Sequence, residues 1–263
     1  MSEVLLTRRE AAVLVLSNNN PAARNALSPA FYAAVTIALA EAAADASVGA
    51  VVLTGEGGHF CAGGDLRQLA RRRELPVEQR REKLEGLHDL IRAVRDCPKP
   101  VIAAVEGAAA GAGLSLALAC DMLVAAKNAV FSVAYVKVGL TPDGGATAFL
   151  AEFVSRQVLT ELCLTGERIS GERLHALGPV NRLSEPGQAQ ADAVALAAQV
   201  ATGPDQAMAL IKDLCRQAPR NTLEEQLELE AQYMVRSQES EESREGIGAF
   251  LEKRAADFTK LRG

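Results

Sequence analysis

The chain has no apolar stretch of membrane-spanning length that is free of small or polar interruptions, so no bilayer helix is expected. Its five cysteines (Cys61, Cys97, Cys120, Cys163, Cys215) are odd in number and never fall in CxxC spacing. That argues against a disulfide framework and against a structural zinc site, and predicts small buried hydrophobes. Basic charge is in deficit, with 28 Lys and Arg against 33 Asp and Glu and a net charge of −5. General nucleic-acid affinity is thereby disfavoured, although local Arg or Lys could still capture a small polyanion. The opening MSEVLLTRRE lacks a basic region followed by a long apolar run; it does not read as a secretion signal, and the cytoplasm is the expected compartment.

What is present suffices for one large core, or a core with an appendage: 263 residues, 49% hydrophobic and 23% charged. Two short β-type runs, VLLTRR and AAVLVLS, precede a turn-rich NNNPAARNALSP, after which Ser28 and Pro29 can start a helix to about Asp45. GAVVLTG then feeds the loop GEGGHFCAGGD and a polar helical stretch. VIAAVEG feeds the small-residue loop AAAGAG and an apolar helix. A third cycle runs through DMLVAA, AVFSV and VKVGL into TPDGGATAFL. This repetition suggests a stacked, spiral α/β core over residues 1–200 rather than an open doubly wound sheet. From about Pro204 the texture turns helical, which suggests a C-terminal helical region over residues 201–263. Within it, LEEQLELEAQYMV carries apolar residues at helical spacing beside a dense acidic face; it reads either as an amphipathic helix packed on its own domain or as a subunit interface.

Two loops can carry chemistry. In HFCAGGD the glycines at 63 and 64 let the backbone expose its amides at the start of a helix, where developing negative charge is stabilised. Alone, that is also an ordinary strand-to-helix turn. The second loop has seven consecutive Gly or Ala residues after Glu106, so an amide near Ala112 could meet the Gly64 amide on one carbonyl oxygen.

With these loops in view, the sequence resembles the crotonase, or enoyl-CoA hydratase/isomerase, superfamily. The match consists of ARNALS, FCAGGDL, KPVIAAVEGAAAGAGLSLALACD, KVGLTPDGGAT and GIGAFLEKRAADF, in order and over nearly the whole chain. The resemblance implies an α/β fold with a ββα spiral core, a C-terminal helical trimerisation region, and homotrimers or homohexamers. It also implies an acyl-CoA thioester substrate, no cofactor beyond its CoA moiety, and no nucleic-acid or membrane partner. By position, the Gly64 and Ala112 amides would polarise the thioester carbonyl. Arg24 would lie near the CoA phosphates, and Ala62, Asp65, Leu66 and Arg67 would line the adenosine and pantetheine path. Phe250 and Lys253 match positions that close the site, often from a neighbouring subunit; read unaided, Phe250 caps a core and Lys253 is solvated.

The departures from the family pattern decide the chemistry. Hydratases of this family generally use two glutamates, and those positions align here with Ser115 and Tyr135, neither a carboxylate; either could still hydrogen-bond an acyl group or a water. A carboxylate does stand at Asp143 in LTPDGGAT, where family members include enoyl-CoA isomerases and ring-epoxide or oxepin-type phenylacetyl-CoA isomerases. One acid/base can take a proton from one carbon and return it to another while the oxyanion hole holds the dienolate. Unaided, Asp143 would be read as a helix cap. A dehalogenase-like nucleophile would want nearby Trp and His; the chain has no Trp, and its histidines are His59, His88 and His175, with His88 about a turn out of place and no role expected for His59. Asp121 is expected to bond local amides. The expected activity is therefore enoyl-CoA isomerisation, with enoyl-CoA hydration or non-catalytic acyl-CoA binding as alternatives. The acyl group is not legible in the sequence.

Overall fold

Residues 3–262 are described by a computed structural model. β1 (Leu5–Glu10) and β2 (Val13–Asn18) form an antiparallel hairpin. α1 (Pro29–Ala44) starts with the Ser28 hydroxyl accepting from the Phe31 amide, as the Ser-Pro signal requires. There follow β3 (Ala50–Gly55), α2 (Leu66–Arg72), α3 (Val77–Asp96), β4 (Val101–Val105), β5 (Ala108–Ala110) and α4 (Ala112–Ala119). Then come β6 (Met122–Ala126), β7 (Val130–Ser132), a 3-10 turn (Ala134–Val138), α5 (Ala146–Ala151), α6 (Arg156–Thr165), β8 (Ile169–Ser170), α7 (Gly171–Ala176), β9 (Arg182–Ser184) and α8 (Ala189–Val200).

A six-stranded sheet runs β1-β2-β3-β4-β6-β9, parallel from β2 onward, and a three-stranded sheet runs β5-β7-β8. After β4 the chain steps between the two, with β5 in the small sheet, β6 in the large, β7 and β8 in the small, and β9 back in the large. This is the spiral α/β arrangement that the recurring sequence units suggest. The parallel strands are covered on both faces, which is why β4 and most of β3 are continuous buried apolar runs. Two segments differ from the sequence reading. The loop after Glu106 contains the short strand β5, and VKVGL falls in and after the 3-10 turn rather than in a strand.

The C-terminal region holds α9 (Asp205–Gln217), α10 (Leu223–Gln238) and α11 (Glu241–Leu251). α10 begins with a reciprocal Thr222–Glu225 capping box. One face of α10 packs on α9, where Tyr233 donates to Asp213 at 2.6 Å and Gln226 to the Leu214 carbonyl at 3.3 Å, while its apolar residues Leu223, Leu227, Met234 and Val235 stay exposed within one chain. Cys215 on α9 is exposed too, and Cys120 and Cys163 are only partly buried, so of the five only Cys61 and Cys97 fit the expected small buried hydrophobe. Among the described residues, no helix is long and apolar enough to cross a membrane.

α9 lacks a side-chain cap of its own at Pro204. Instead the buried Glu242 of α11 accepts from the amides of Gln206 and Ala207 at 2.9 and 3.0 Å, placing a carboxylate at the positive end of the helix. Glu242→Ala strips both amides of their acceptor, and is expected to cost about 2–3 kcal/mol in denaturant unfolding.

Candidate active site

Adjacent parallel strands release their following loops on the same side of the sheet. β3 and β4 are such neighbours, with Val51 opposite Val101 and Leu53 opposite Ala103, so the two small-residue loops start side by side. They then stay stitched together. Phe60 N donates to Glu106 O at 2.9 Å, Cys61 N to Ala108 O at 2.9 Å, and Ala110 N to Cys61 O at 3.0 Å. The approach leaves no room for side chains. A Cβ on Gly113 would sit 2.3 Å from Cys61 O, and one on Gly63, whose φ is +93°, would sit 2.6 Å from Ala110 O and 3.5 Å from Ala112 N. Ala112 is the first residue of α4, so its amide has no partner within the helix. Neither that amide nor the amide of Gly64 donates to any acceptor among the described residues. Two free NH groups thus stand on turns held in van der Waals contact, at the mouth of α4.

The 3-10 turn after β7 brings a phenol to this place, because β5 and β7 pair in register at Ala110 and Ser132. A Cβ on Gly111 would lie 3.8 Å from the Tyr135 ring. The buried Tyr135 hydroxyl donates to Asp143 Oδ1 at 2.7 Å, and the fully buried Ser115 hydroxyl on α4 donates to the Asp143 carbonyl oxygen at 2.9 Å. Ser115 and Tyr135 therefore hold Asp143 in place. The Asp143 carboxylate does not cap α5, whose cap position is Gly145 with φ +87°; that overturns the unaided reading. Burial raises the Asp143 carboxyl above its usual value, opposed by the Tyr135 hydrogen bond and by the charges of His88 and Arg72. Burial, reinforced by the Asp143 charge, keeps Tyr135 a neutral donor far above the usual phenol value. A carboxylate with a raised proton affinity beside free amides can exchange a proton with a carbon next to a polarised carbonyl.

The other expected site residues sort into groups. Arg24 has left-handed backbone (φ +49°), an exposed side chain, and a carbonyl that accepts from the Ala62 amide at 2.9 Å. Asp65 caps α2 by accepting from Arg67 N and Gln68 N, and these amides, Arg67's first, hold its carboxyl below the usual value. Leu66 and Arg67 are exposed on α2. Phe250 does not cap a core: it is 83% exposed on α11, and Lys253 follows, exposed, with φ +56°. The chain does not bring this pair into the Asp143 cluster. Asp121 is structural as expected, accepting from Val101 N at 2.7 Å and pairing with Lys212.

Three residues went unassigned in the sequence reading. His59 Nδ1 accepts from the Ala108 amide at 3.2 Å, a further tie between the loops. Asn25 is fully buried, and its amide nitrogen donates to Glu56 O and His59 O at 2.8 and 2.6 Å, anchoring the first loop to the Arg24 turn. The turn-rich stretch from Asn18 to Pro29 is the signal that could have found it, since asparagine tolerates the left-handed backbone that Asn25 adopts, with φ +58°. Tyr32 reaches from α1 against Gly86 of α3, and no local pattern marks it. Among the described residues, no group of three or more His, Cys, Asp or Glu is placed to hold a metal ion.

The chain as a whole has close counterparts. The enoyl-CoA hydratase/isomerase family model matches residues 8–261, and the chain belongs to that family. It is 36% identical over 260 residues to the 1,2-epoxyphenylacetyl-CoA isomerase of Escherichia coli, covering 98% of this chain and 99% of the relative. It is 34% identical over 262 residues to the 2,3-dehydroadipyl-CoA hydratase of the same organism, covering 98% and 99%. A crystal structure of an enoyl-CoA hydratase from a Polaromonas species matches with a TM-score of 0.94 at 47% identity, covering 96% of this chain and 98% of that one. The fold is thus the crotonase fold, and the chain is an acyl-CoA-processing enzyme of that superfamily.

Proposed function

We propose that the protein is an enoyl-CoA isomerase in which one carboxylate, Asp143, moves a proton between two carbons of the acyl chain. The Gly64 and Ala112 amides bind the thioester oxygen and hold the dienolate between the two transfers. The observation that carries this reading is the isolation of Asp143. Its hydrogen-bond partners Ser115 and Tyr135 occupy the positions where hydratases of the family carry glutamates, and both donate to it. Ala62, Asp65, Leu66 and Arg67 line the pantetheine path in this reading, with Arg24 toward the CoA phosphates, and no cofactor beyond CoA takes part.

A second reading, hydration, is favoured by the hydratase names of the E. coli and Polaromonas relatives; in it, Tyr135 and Asp143 would hold the attacking water. Absorbance of the conjugated thioester separates the two. Isomerisation predicts that a 3-enoyl-CoA gains conjugated absorbance while crotonyl-CoA keeps it. Rapid loss of the crotonyl-CoA signal with no reaction of the 3-enoyl-CoA would reverse the assignment.

We also propose that the chain assembles as a homotrimer, or as a pair of trimers, with α10 and α11 in the contacts and with Phe250 and Lys253 placed toward a neighbouring site. The exposure of Leu223, Met234, Ile247, Phe250 and Leu251 supports this. Light scattering should return a mass of three or six chains; a monomer mass would reject it.

A further inference from the structure

The first amide-bearing turn is held from two sides. Cys61 faces the second loop, bonded to it through both its NH and its carbonyl, while the next residues face the Arg24 turn. There Ala62 N donates to Arg24 O at 2.9 Å, and Leu27 N donates to Gly63 O at 2.8 Å. A trans peptide group is planar, so its C=O and N–H point in opposite directions, and no cis peptide bond occurs among the described residues. The Cys61–Ala62 peptide shows the consequence. Its carbonyl accepts from Ala110 N on the second loop at 3.0 Å, and its NH goes the other way, to Arg24. The Gly63–Gly64 peptide is bound in the reverse sense. With its carbonyl fixed on Leu27, its NH, which is the Gly64 amide, is turned away from the Arg24 turn and toward the second loop. On that side stands the Ala112 amide, 3.5 Å from the Cβ position of Gly63.

The Leu27 amide reaches Gly63 because the chain doubles back just before it. Arg24 and Asn25 both have left-handed backbone, with φ +49° and +58°, although neither is a glycine. Such a pair persists only where other bonds hold it, and the buried Asn25 side chain supplies them. Its oxygen accepts from Asn20 N at 2.9 Å, and its nitrogen donates to Glu56 O and His59 O at 2.8 and 2.6 Å. Its main-chain carbonyl accepts from Asn18 Nδ2 at 2.9 Å. A Cβ on Gly55 would lie only 2.6 Å from Asn25 Nδ2, so the group has no slack. Asparagine offers two donors and an acceptor at this length. Aspartate has the same shape but would turn an oxygen toward two carbonyls.

We infer that Asn25 is a positioning residue of the oxyanion hole: it fixes residues 24–27 so that the Leu27 amide turns the Gly63–Gly64 peptide and aims the Gly64 NH at the thioester oxygen. This rests on the oxyanion-hole reading proposed above, but not on the choice between isomerase and hydratase.

The infrared carbonyl band of bound butyryl-CoA, labelled with carbon-13 at the thioester carbon, reads the aim directly. Two well-directed amides lower it below the band of the free thioester. Two variants test the chain of contacts: Asn25→Asp, and replacement of Leu27 by its α-hydroxy acid, which deletes the NH that binds Gly63 and leaves every side chain in place. In both, the bound band is expected to move back toward the free value. The kcat for whichever of 3-enoyl-CoA and crotonyl-CoA the wild type converts should fall about 10- to 100-fold, the scale of a small misplacement at the reacting atoms. Affinity for butyryl-CoA by calorimetry should fall by less. Asn181→Ala is the control for stability alone. It removes a comparable bond, accepted from Leu123 N at 2.8 Å at the start of β6, the end of the sheet away from the two loops, and should leave the band at its wild-type position. A wild-type band in both the Asn25 and the Leu27 variants overturns the inference, as does an equal shift in Asn181→Ala. If the wild-type complex itself shows no lowering of the band, it is the oxyanion-hole reading that fails.

Discussion

Asp143→Asn is expected to lower kcat for double-bond migration by about 10²- to 10⁴-fold, the range for loss of a positioned acid/base, while thioester binding by calorimetry persists. Asparagine keeps the shape and can still accept from the Tyr135 hydroxyl that now bonds Asp143 Oδ1 at 2.7 Å. What disappears is the basic oxygen. Stability separates this from misfolding. The Asp143 proton affinity is raised in the folded protein, so ionising this carboxyl above its unfolded pKa disfavours the folded state. The asparagine variant should therefore melt at or above the wild-type temperature at neutral pH. A lower melting temperature with proportionate loss of activity would mark Asp143 as structural.

The pH profile carries the same sign. Proton abstraction needs the ionised carboxylate, so kcat/KM should fall as pH drops through a pKa above the ordinary carboxylate value. Tyr135→Phe removes a donor that favours ionisation and leaves burial less opposed. The acid limb should then move to higher pH; a shift to lower pH would contradict the Tyr135 assignment.

Ala112→Pro is expected to cut kcat/KM by about 10²- to 10³-fold, the usual consequence of losing one oxyanion-hole donor, without unfolding the chain. Proline is tolerated at the first position of a helix because the amide there has no intrahelical acceptor, and Ala112 holds that position in α4. The substitution deletes the NH group and keeps the helix. Ala112→Gly, which retains the NH, is the control and should keep most of the activity. Normal turnover by the proline variant would remove this amide from the mechanism.

The parts of this molecule that were legible in the sequence are those encoded within a few residues. Ser28 and Pro29 announce α1 because a hydroxyl reaches an amide three positions on. The apolar runs of β3 and β4 announce a doubly covered parallel sheet, and glycine and alanine at 107–113 announce close backbone approach. The linked motifs were enough for the family, and Gly64, Ala112 and Asp143 were named from them. The surroundings of Asp143 were less legible. Helix capping was the unaided reading, since Asp after Pro ahead of a helix is a local signal; the partner that displaces it, Tyr135, lies on the turn after β7.

Composition, the order of strand, loop and helix, and the placement of small residues by themselves determined the α/β class, the family and the two loops to examine. Only the tertiary structure decided that Ser115 and Tyr135 hold Asp143, that Asn25 and His59 tie the loops, and that Glu242 caps a helix 36 residues away. The reason is physical. Capping, turn and periodicity rules act through bonds a few residues long, whereas burial, charge and hydrogen bonding act through space among groups whose separation along the chain places no limit on their distance once the sheets have closed.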